Sequence, residues 1–146
     1  ILCGEPPITS CTFSENSASH IGGGIHCLGS PAITNCIIAF STSGDAISLG
    51  PYSYPTLTCC NLYGNADGEW NWVFYADQLG QDGNLAADPQ FCGVEGSGDI
   101  YLQGDSPCAP GNHPDGEDCG LIGVLPVACG PVATEETSWS AVKALY

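Results

Sequence analysis

The side chains whose types and spacing suggest chemistry are concentrated between residues 65 and 71. Oxygen-bearing side chains occupy every second position there, as Asn65, Asp67, Glu69 and Asn71. Carboxylate and amide oxygens at this spacing can wrap a Ca²⁺ ion, although the complete EF-hand loop with its distal Glu is absent. The stretch therefore predicts either a calcium site, with Ca²⁺ as the cofactor, or a solvated turn.

Aromatic side chains overlap the same stretch. Trp70, Trp72 and Phe74 would share one face of an extended chain, and Tyr75 follows directly. Aromatic rings stack on sugars, so Trp70, Trp72 and Tyr75 are candidate carbohydrate-binding residues. The alternative is that the aromatic row forms a lid over the apolar interior of the fold.

Catalytic constellations cannot be assembled from the other residues. Lys143 is the only basic side chain, and the three histidines are scattered along the chain. The sequence offers no Ser/His/Asp or Cys/His set and no Cys-x-x-Cys pair for zinc. These features favour a non-catalytic protein, and no catalytic residue is assigned.

A repeat written three times between Pro7 and Asn65 defines the elements that must position these side chains. Its cysteines, Cys11, Cys36 and Cys60, follow one another at intervals of 25 and 24 residues. A fixed period in this range is typical of a solenoid. The copies are rich in Ile, Leu, Thr and Phe, with Gly, Ser and Pro between them, so each coil is expected to consist of β-strands.

The spacing of apolar residues within each copy predicts a bend in the chain. The cysteine and the residue two after it face one side of a strand, whereas the aliphatic residue three before the cysteine has the wrong parity for a straight strand. A tight turn at Ser10, Asn35 and Cys59 would place all three apolar side chains inside. Stacked coils would then align like residues about 4.8 Å apart.

The repeat resembles right-handed parallel β-helices of the pectate-lyase-like class, in the form found in secreted bacterial repeat proteins. The copies PPITSCTFSEN, PAITNCIIAFS and PTLTCCNLYGN match its coil pattern, and GNLAADPQF, DIYLQGDSPCAPG and CGLIGVLPVACG resemble its terminal-coil motifs. The resemblance implies an all-β, right-handed parallel β-helix domain over residues 1–130. It would have about three regular coils and an irregular, cysteine-rich C-terminal end. It fixes no function, because the fold hosts lyases, hydrolases, adhesins and inert surface proteins.

The resemblance also bears on activity and on the ends of the chain. Lyases of this class use a basic residue with Ca²⁺, and the repeat block contains no Lys or Arg. Residues 131–146, a linker and a short helix or strand, resemble the connector that precedes type IX secretion sorting domains. The chain starts within a coil, so an uncovered β-helix end is expected, to be covered by further coils or by another copy.

Cysteine usage predicts the compartment and the cross-links. Ten cysteines in 146 residues indicate an oxidising environment, so a secreted or cell-surface protein is expected. The stacked cysteines are expected to be reduced core residues, because column spacing is slightly long for a disulfide. Four later cysteines are expected to pair among themselves in the loop-rich end: Cys92, Cys108, Cys119 and Cys129.

Charge limits the partners. The formal net charge of −15 at pH 7 argues against nucleic acid and anionic membranes, and no membrane insertion is expected. The sequence predicts a non-catalytic, extracellular structural or adhesive protein that self-associates head to tail into a filament or surface layer. The alternative is a carbohydrate-binding module, or a lyase-like carbohydrate-active β-helix, whose partner is a cell-surface glycan.

Overall fold

The computed structural model describes residues 1–69, 77–94 and 96–130, which form an all-β parallel solenoid. The described residues contain no helix, so the predicted fold class is confirmed. The predicted tail, residues 131–146, lies outside the described residues. The strands are β1 (Leu2–Cys3), β2 (Ile8–Thr9), β3 (Thr12–Ser14), β4 (Ile25–Cys27), β5 (Ala32–Thr34), β6 (Ile37–Ala39), β7 (Ile47–Leu49), β8 (Thr56–Thr58), β9 (Asn61–Tyr63), β10 (Leu102–Gln103) and β11 (Val127–Cys129).

The first nine strands form three parallel sheets, and each coil adds one strand to every sheet. The strand orders are β1-β4-β7 in the first sheet, β2-β5-β8 in the second and β3-β6-β9 in the third. In the second sheet Ile8 pairs with Ile33 and Ile33 pairs with Leu57. The three sequence copies therefore stack like upon like, as their period predicts.

The predicted bend within each coil is present. Ser10, Asn35 and Cys59 have φ values of 51°, 52° and 52°, in the left-handed region that turns the chain sharply. Because of this corner, the side chains before and after it both point into the solenoid. Ile33 and Cys36, on either side of the Asn35 corner, are both fully buried.

The stack contains about five turns, slightly more than the prediction of about three regular coils. Beyond the third copy, the Cys59 N–H donates to the Asp82 carbonyl at 2.9 Å and the Leu62 N–H donates to the Leu85 carbonyl at 3.2 Å. These later residues continue the stack without repeating the sequence pattern. Periodicity alone therefore underestimates the number of coils.

The edge of β8 that faces away from β5 has its backbone hydrogen bonds satisfied by a side chain. The Gln78 amide accepts a hydrogen bond from the Leu57 N–H at 2.7 Å and donates one to the Pro55 carbonyl at 3.0 Å. An amide group offers the same donor and acceptor as a peptide unit, so Gln78 replaces a missing strand residue. This side chain satisfies backbone groups that would otherwise need another coil or water.

Two apolar cores lie on the two faces of the third sheet. The inner core fills the solenoid and comprises Cys3, Ile25, Cys27, Ile33, Cys36, Ile38, Ala46, Ile47, Leu57, Cys60 and Leu62. The outer core comprises Ile37, Ala39, Leu85, Leu102, Cys108 and Ile122. The outer core forms because residues 88–129, here called the returning segment, fold back over the outward face of the third sheet.

The disulfides of the returning segment differ from the predicted pairing. Cys92 pairs with Cys129, but Cys119 pairs with Cys59 of the third copy, and Cys108 is a buried free thiol. The expectation that four late cysteines pair among themselves is therefore wrong for Cys119 and Cys108. Cys59 lies at an outward corner that the returning segment passes, a proximity that the sequence pattern does not reveal.

The stacked cysteines are reduced, as predicted. Cys3, Cys27, Cys36 and Cys60 are buried free thiols, and Cys11 is a half-buried one. The Sγ–H groups of Cys11, Cys36 and Cys60 donate to nearby backbone carbonyls, as Cys60 does to Ile33 at 3.3 Å. These thiols act as small apolar core residues.

Candidate functional site

The predicted carbohydrate-binding residues lie outside the part of the chain that the structure describes. These are Trp70, Trp72 and Tyr75, together with Asn71 of the predicted calcium set. The stacking of sugars on this aromatic row stays a prediction.

The other predicted calcium ligands serve the backbone in the structure. Asn65 is buried and its Oδ1 accepts from the Ser41 N–H at 3.1 Å. Asp67 Oδ2 accepts from the Gly44 N–H at 2.8 Å, and Glu69 Oε1 accepts from the Asn65 N–H at 3.0 Å. Among residues 1–69, 77–94 and 96–130, no three His, Cys, Asp or Glu side chains converge as a metal site. Calcium binding through the alternating set remains a prediction.

One nucleophile–base pair that the sequence did not suggest is present in the first sheet. The Ser48 Oγ lies 2.7 Å from the His26 Nδ1, because these residues are in-register neighbours on β7 and β4. Ser48 is only 1% exposed, so no substrate can reach its hydroxyl. The pair therefore contributes to the structure rather than to catalysis.

The thiol stack contains a second chemically distinctive group. Hydrogen bonding from the Cys60 thiol lowers the pKa of Cys36 to about 7, against the opposing effect of burial. The same contact and burial raise the pKa of Cys60. Cys36 is fully buried, so its thiolate character is not available to a substrate.

A groove with a volume of about 630 Å³ lies where the returning segment meets the corner of the first coils. One wall, contributed by the solenoid, consists of residues 12–16 and Phe40. The other wall comes from the returning segment and contains lining residues between Asp88 and Gln103. We call this cleft the corner groove.

A second left-handed corner in each coil directs side chains of the solenoid wall towards the groove. Glu15 follows β3 with a φ of 55°, and Phe40 follows β6 with a φ of 57°. At these positions the chain leaves the third sheet, and both side chains line the groove rather than the inner core. The Phe40 ring makes edge contacts with Phe91 and Tyr63, at centroid distances of 6.0 and 5.8 Å. The groove thus has an aromatic surface supported by both walls.

The wall contributed by the returning segment, here called the outer wall, is held in place by hydrogen bonds and a disulfide. The Cys92 N–H donates to the Tyr101 carbonyl at 2.7 Å, and the Gln103 side chain donates to the Phe91 carbonyl at 3.0 Å. The Cys92–Cys129 disulfide then fastens this wall to β11. The hydrogen bonds thus join residues within the wall, and the disulfide ties the wall to the end of the returning segment.

Among the described residues, three carboxylates line the groove. Glu15 Oε1 accepts a hydrogen bond from the Gly96 N–H of the opposite wall, which links the two walls. Asp88 and Asp99 each accept through Oδ1 from the backbone N–H two residues later, at 2.8 and 3.2 Å. None of the lining residues that the structure describes is basic, so this part of the groove presents acceptor oxygens and negative charge beside aromatic rings.

Sequence reasoning missed this groove because its walls are far apart in the chain. Glu15 and Gly96 are separated by 81 residues, and the returning segment lacks the period that identifies the coils. One feature of the sequence did point to the groove. Phe40 directly follows β6, as Glu15 directly follows β3, and a side chain at this position points out of the coil. A large apolar residue at an outward corner indicates something packed over it.

No family model, curated protein or solved structure matches this chain. Within the described ranges, no helix combines the length and the apolar character needed to cross a bilayer.

Proposed function

We propose that this chain is an extracellular, non-catalytic adhesive module that binds a glycan in the corner groove. The observation that carries the proposal is the groove itself, with aromatic rings, side-chain amides and carboxylates facing one space of about 630 Å³. That volume falls within the usual range of small-ligand sites, about 300–1,000 Å³.

The lining chemistry suits a saccharide. Sugars present apolar C–H faces that pack on aromatic rings and hydroxyls that bond to amides and carboxylates. Phe40 and Phe91 provide rings, Gln90 and Gln103 provide amides, and Asp99 provides a carboxylate. The walls are held by hydrogen bonds and a disulfide, which lowers the entropic cost of ordering the site on binding.

We prefer binding to catalysis because the chemically reactive side chains lie outside the groove. Neither the His26–Ser48 pair nor the Cys36 thiol lines the groove. The groove carboxylates instead hold backbone N–H groups, which is a positioning role. The rings, amides and carboxylates that line the groove are sufficient for binding without any reactive group.

Two disulfides are consistent with an extracellular location. A net charge of −15 would also keep such a module dispersed in an external medium.

End-to-end stacking into a filament, the other function predicted from the sequence, has weaker support. Beyond the third coil, Gln78 already satisfies β8, and Leu85 already bonds to β9. A second copy would have to displace these contacts to continue two of the three sheets.

A glycan array followed by calorimetry tests the proposal. Asn16→Trp places an indole in the groove from an exposed position on its solenoid wall, and we expect it to abolish binding of any glycan found. Thr58→Trp, at an exposed position of β8 that does not line the groove, is the matched control and should bind as wild type does. Binding that survives Asn16→Trp but is lost in Trp70→Ala would move the site to the aromatic row. Cleavage of the glycan would show that the module is an enzyme.

A further inference from the structure

We infer that the glycan held by the corner groove carries protonated amino groups, an inference that rests on the proposed function. Its basis is the charge of the groove. Glu15 approaches from the solenoid corner, and Asp88 and Asp99 approach from the returning segment, so negative charge lies on both walls.

No Lys or Arg side chain of the described residues neutralises these carboxylates. The chain has a single Lys or Arg, Lys143, which lies outside the described residues. The hydrogen bonds that the three carboxylates accept come from neutral backbone N–H groups. Such bonds orient a carboxylate without cancelling its charge, so the groove keeps a negative potential that the rest of the protein reinforces.

This potential discriminates between classes of glycan. A uronate or sulfated glycan would bring like charge into a partly enclosed cleft, where repulsion is stronger than in open water. A neutral glycan would gain only the ring and hydrogen-bond contacts. A glycan bearing ammonium groups would gain those contacts and charge-assisted hydrogen bonds to the carboxylates.

Four hexameric probes of matched length would test the inference by calorimetry at about pH 5.5, where the amino groups of the cationic probes are protonated. These are a glucosamine oligomer, its N-acetylated counterpart, a galacturonate oligomer and, as a cationic compound that is not a sugar, a lysine hexapeptide. We expect the glucosamine oligomer to bind at least tenfold more tightly than its N-acetylated form. We expect no binding of the galacturonate oligomer, and weaker binding of the peptide. Raising the salt concentration from about 50 to 500 mM should reduce the preference for the amine, because screening weakens charge interactions.

Two double variants assign the preference to the groove. Glu15→Gln with Asp99→Asn retains hydrogen-bond acceptors while removing two groove charges, and should lower affinity for the glucosamine oligomer about tenfold. Asp115→Asn with Asp118→Asn changes the net charge equally at exposed positions that do not line the groove, and should change affinity less than twofold.

The outcomes separate the inference from the proposed function. If no oligosaccharide binds, the proposed function is wrong and the inference is lost with it. If the N-acetylated or galacturonate oligomer binds as tightly as the glucosamine oligomer, the groove binds glycans but the inference is wrong. The inference would also be wrong if the lysine peptide bound as tightly as the glucosamine oligomer, or if the two double variants lost affinity equally. Either result would mean that the overall charge of the protein, rather than the groove, determines the preference for the amine.

Discussion

At the residue scale, Asn35 connects the repeat to the returning segment. Its side-chain amide donates to the carbonyls of Cys119 and Leu121, at 2.6 and 3.0 Å, while its backbone adopts the left-handed corner. Asn tolerates this conformation better than most residues, so one side chain serves both the coil and the outer core.

Replacing Asn35 by Ala should lower the free energy of unfolding by about 1–3 kcal/mol, because two acceptors lose their donor and the corner becomes strained. Ser10→Ala is the matched control, since Ser10 occupies the same corner with a φ of 51° and is exposed. Urea denaturation of both variants measures the difference. Equal losses would show that the corner conformation, rather than the contact with the returning segment, determines the effect.

Cys108 provides a test of burial through pH. Burial raises the pKa of its thiol from 9.0 to about 11. A raised pKa means that the folded state favours the protonated thiol, so its contribution to stability is complete below about pH 9 and is lost as the pH rises towards 11. The loss at about pH 10 should be about 1 kcal/mol.

Comparison of wild type with Cys108→Ala isolates this effect, because the other buried thiols are present in both proteins. We expect the stability difference between the two proteins to shrink as the pH rises from about 9 to 10. A difference that stays constant over this range would mean that the thiol is not buried as described.

At the element scale, the sequence predicts the coils well and the returning segment poorly. Period and parity identified the stacked strands and the corners at Ser10, Asn35 and Cys59, because each coil repeats the same inward pattern. Leu102 and Ile122 have no such pattern, since their buried surroundings come from the outward face of a sheet rather than from a coil. For the same reason Glu15 and Asp99 could not be recognised as neighbours of one groove.

The outer core should nevertheless contribute to stability. Ile122 is 1% exposed, so Ile122→Ala should cost about 2–5 kcal/mol through lost burial and a cavity. Val124 lies two residues further in the same segment and is 48% exposed, so Val124→Ala should cost less than about 1 kcal/mol. Thermal and urea unfolding would show the contrast. Similar small losses in both variants would mean that the segment is not packed against the third sheet.

At the scale of the whole molecule, a regular solenoid carries an irregular segment that gives it a concave surface. The two disulfides hold this segment at different places. Cys59–Cys119 spans 60 residues and ties the segment to a coil, whereas Cys92–Cys129 spans 37 residues within the segment and fastens the groove wall. Each closes a loop whose constraint on the unfolded chain is worth about 3–5 kcal/mol.

The disulfides should therefore differ in their effect on binding. Replacing Cys92 and Cys129 by serine should weaken glycan affinity several-fold, because the outer wall loses its covalent attachment to β11. Replacing Cys59 and Cys119 by serine should lower the melting temperature while changing affinity less. Calorimetry at a temperature where both variants remain folded makes the comparison, and equal affinities would contradict a role for the Cys92–Cys129 bond in shaping the groove.

The proposed function requires that the returning segment and the first coils bind a glycan together. An NMR titration of the isotope-labelled protein with the glucosamine oligomer tests it most directly, because backbone amide shifts locate the ligand without any substitution. We predict saturable shifts concentrated in residues 12–16 and 88–103, on both walls at once. Shifts confined to residues 70–76, or scattered over the acidic surface, would rule out a glycan site in the corner groove.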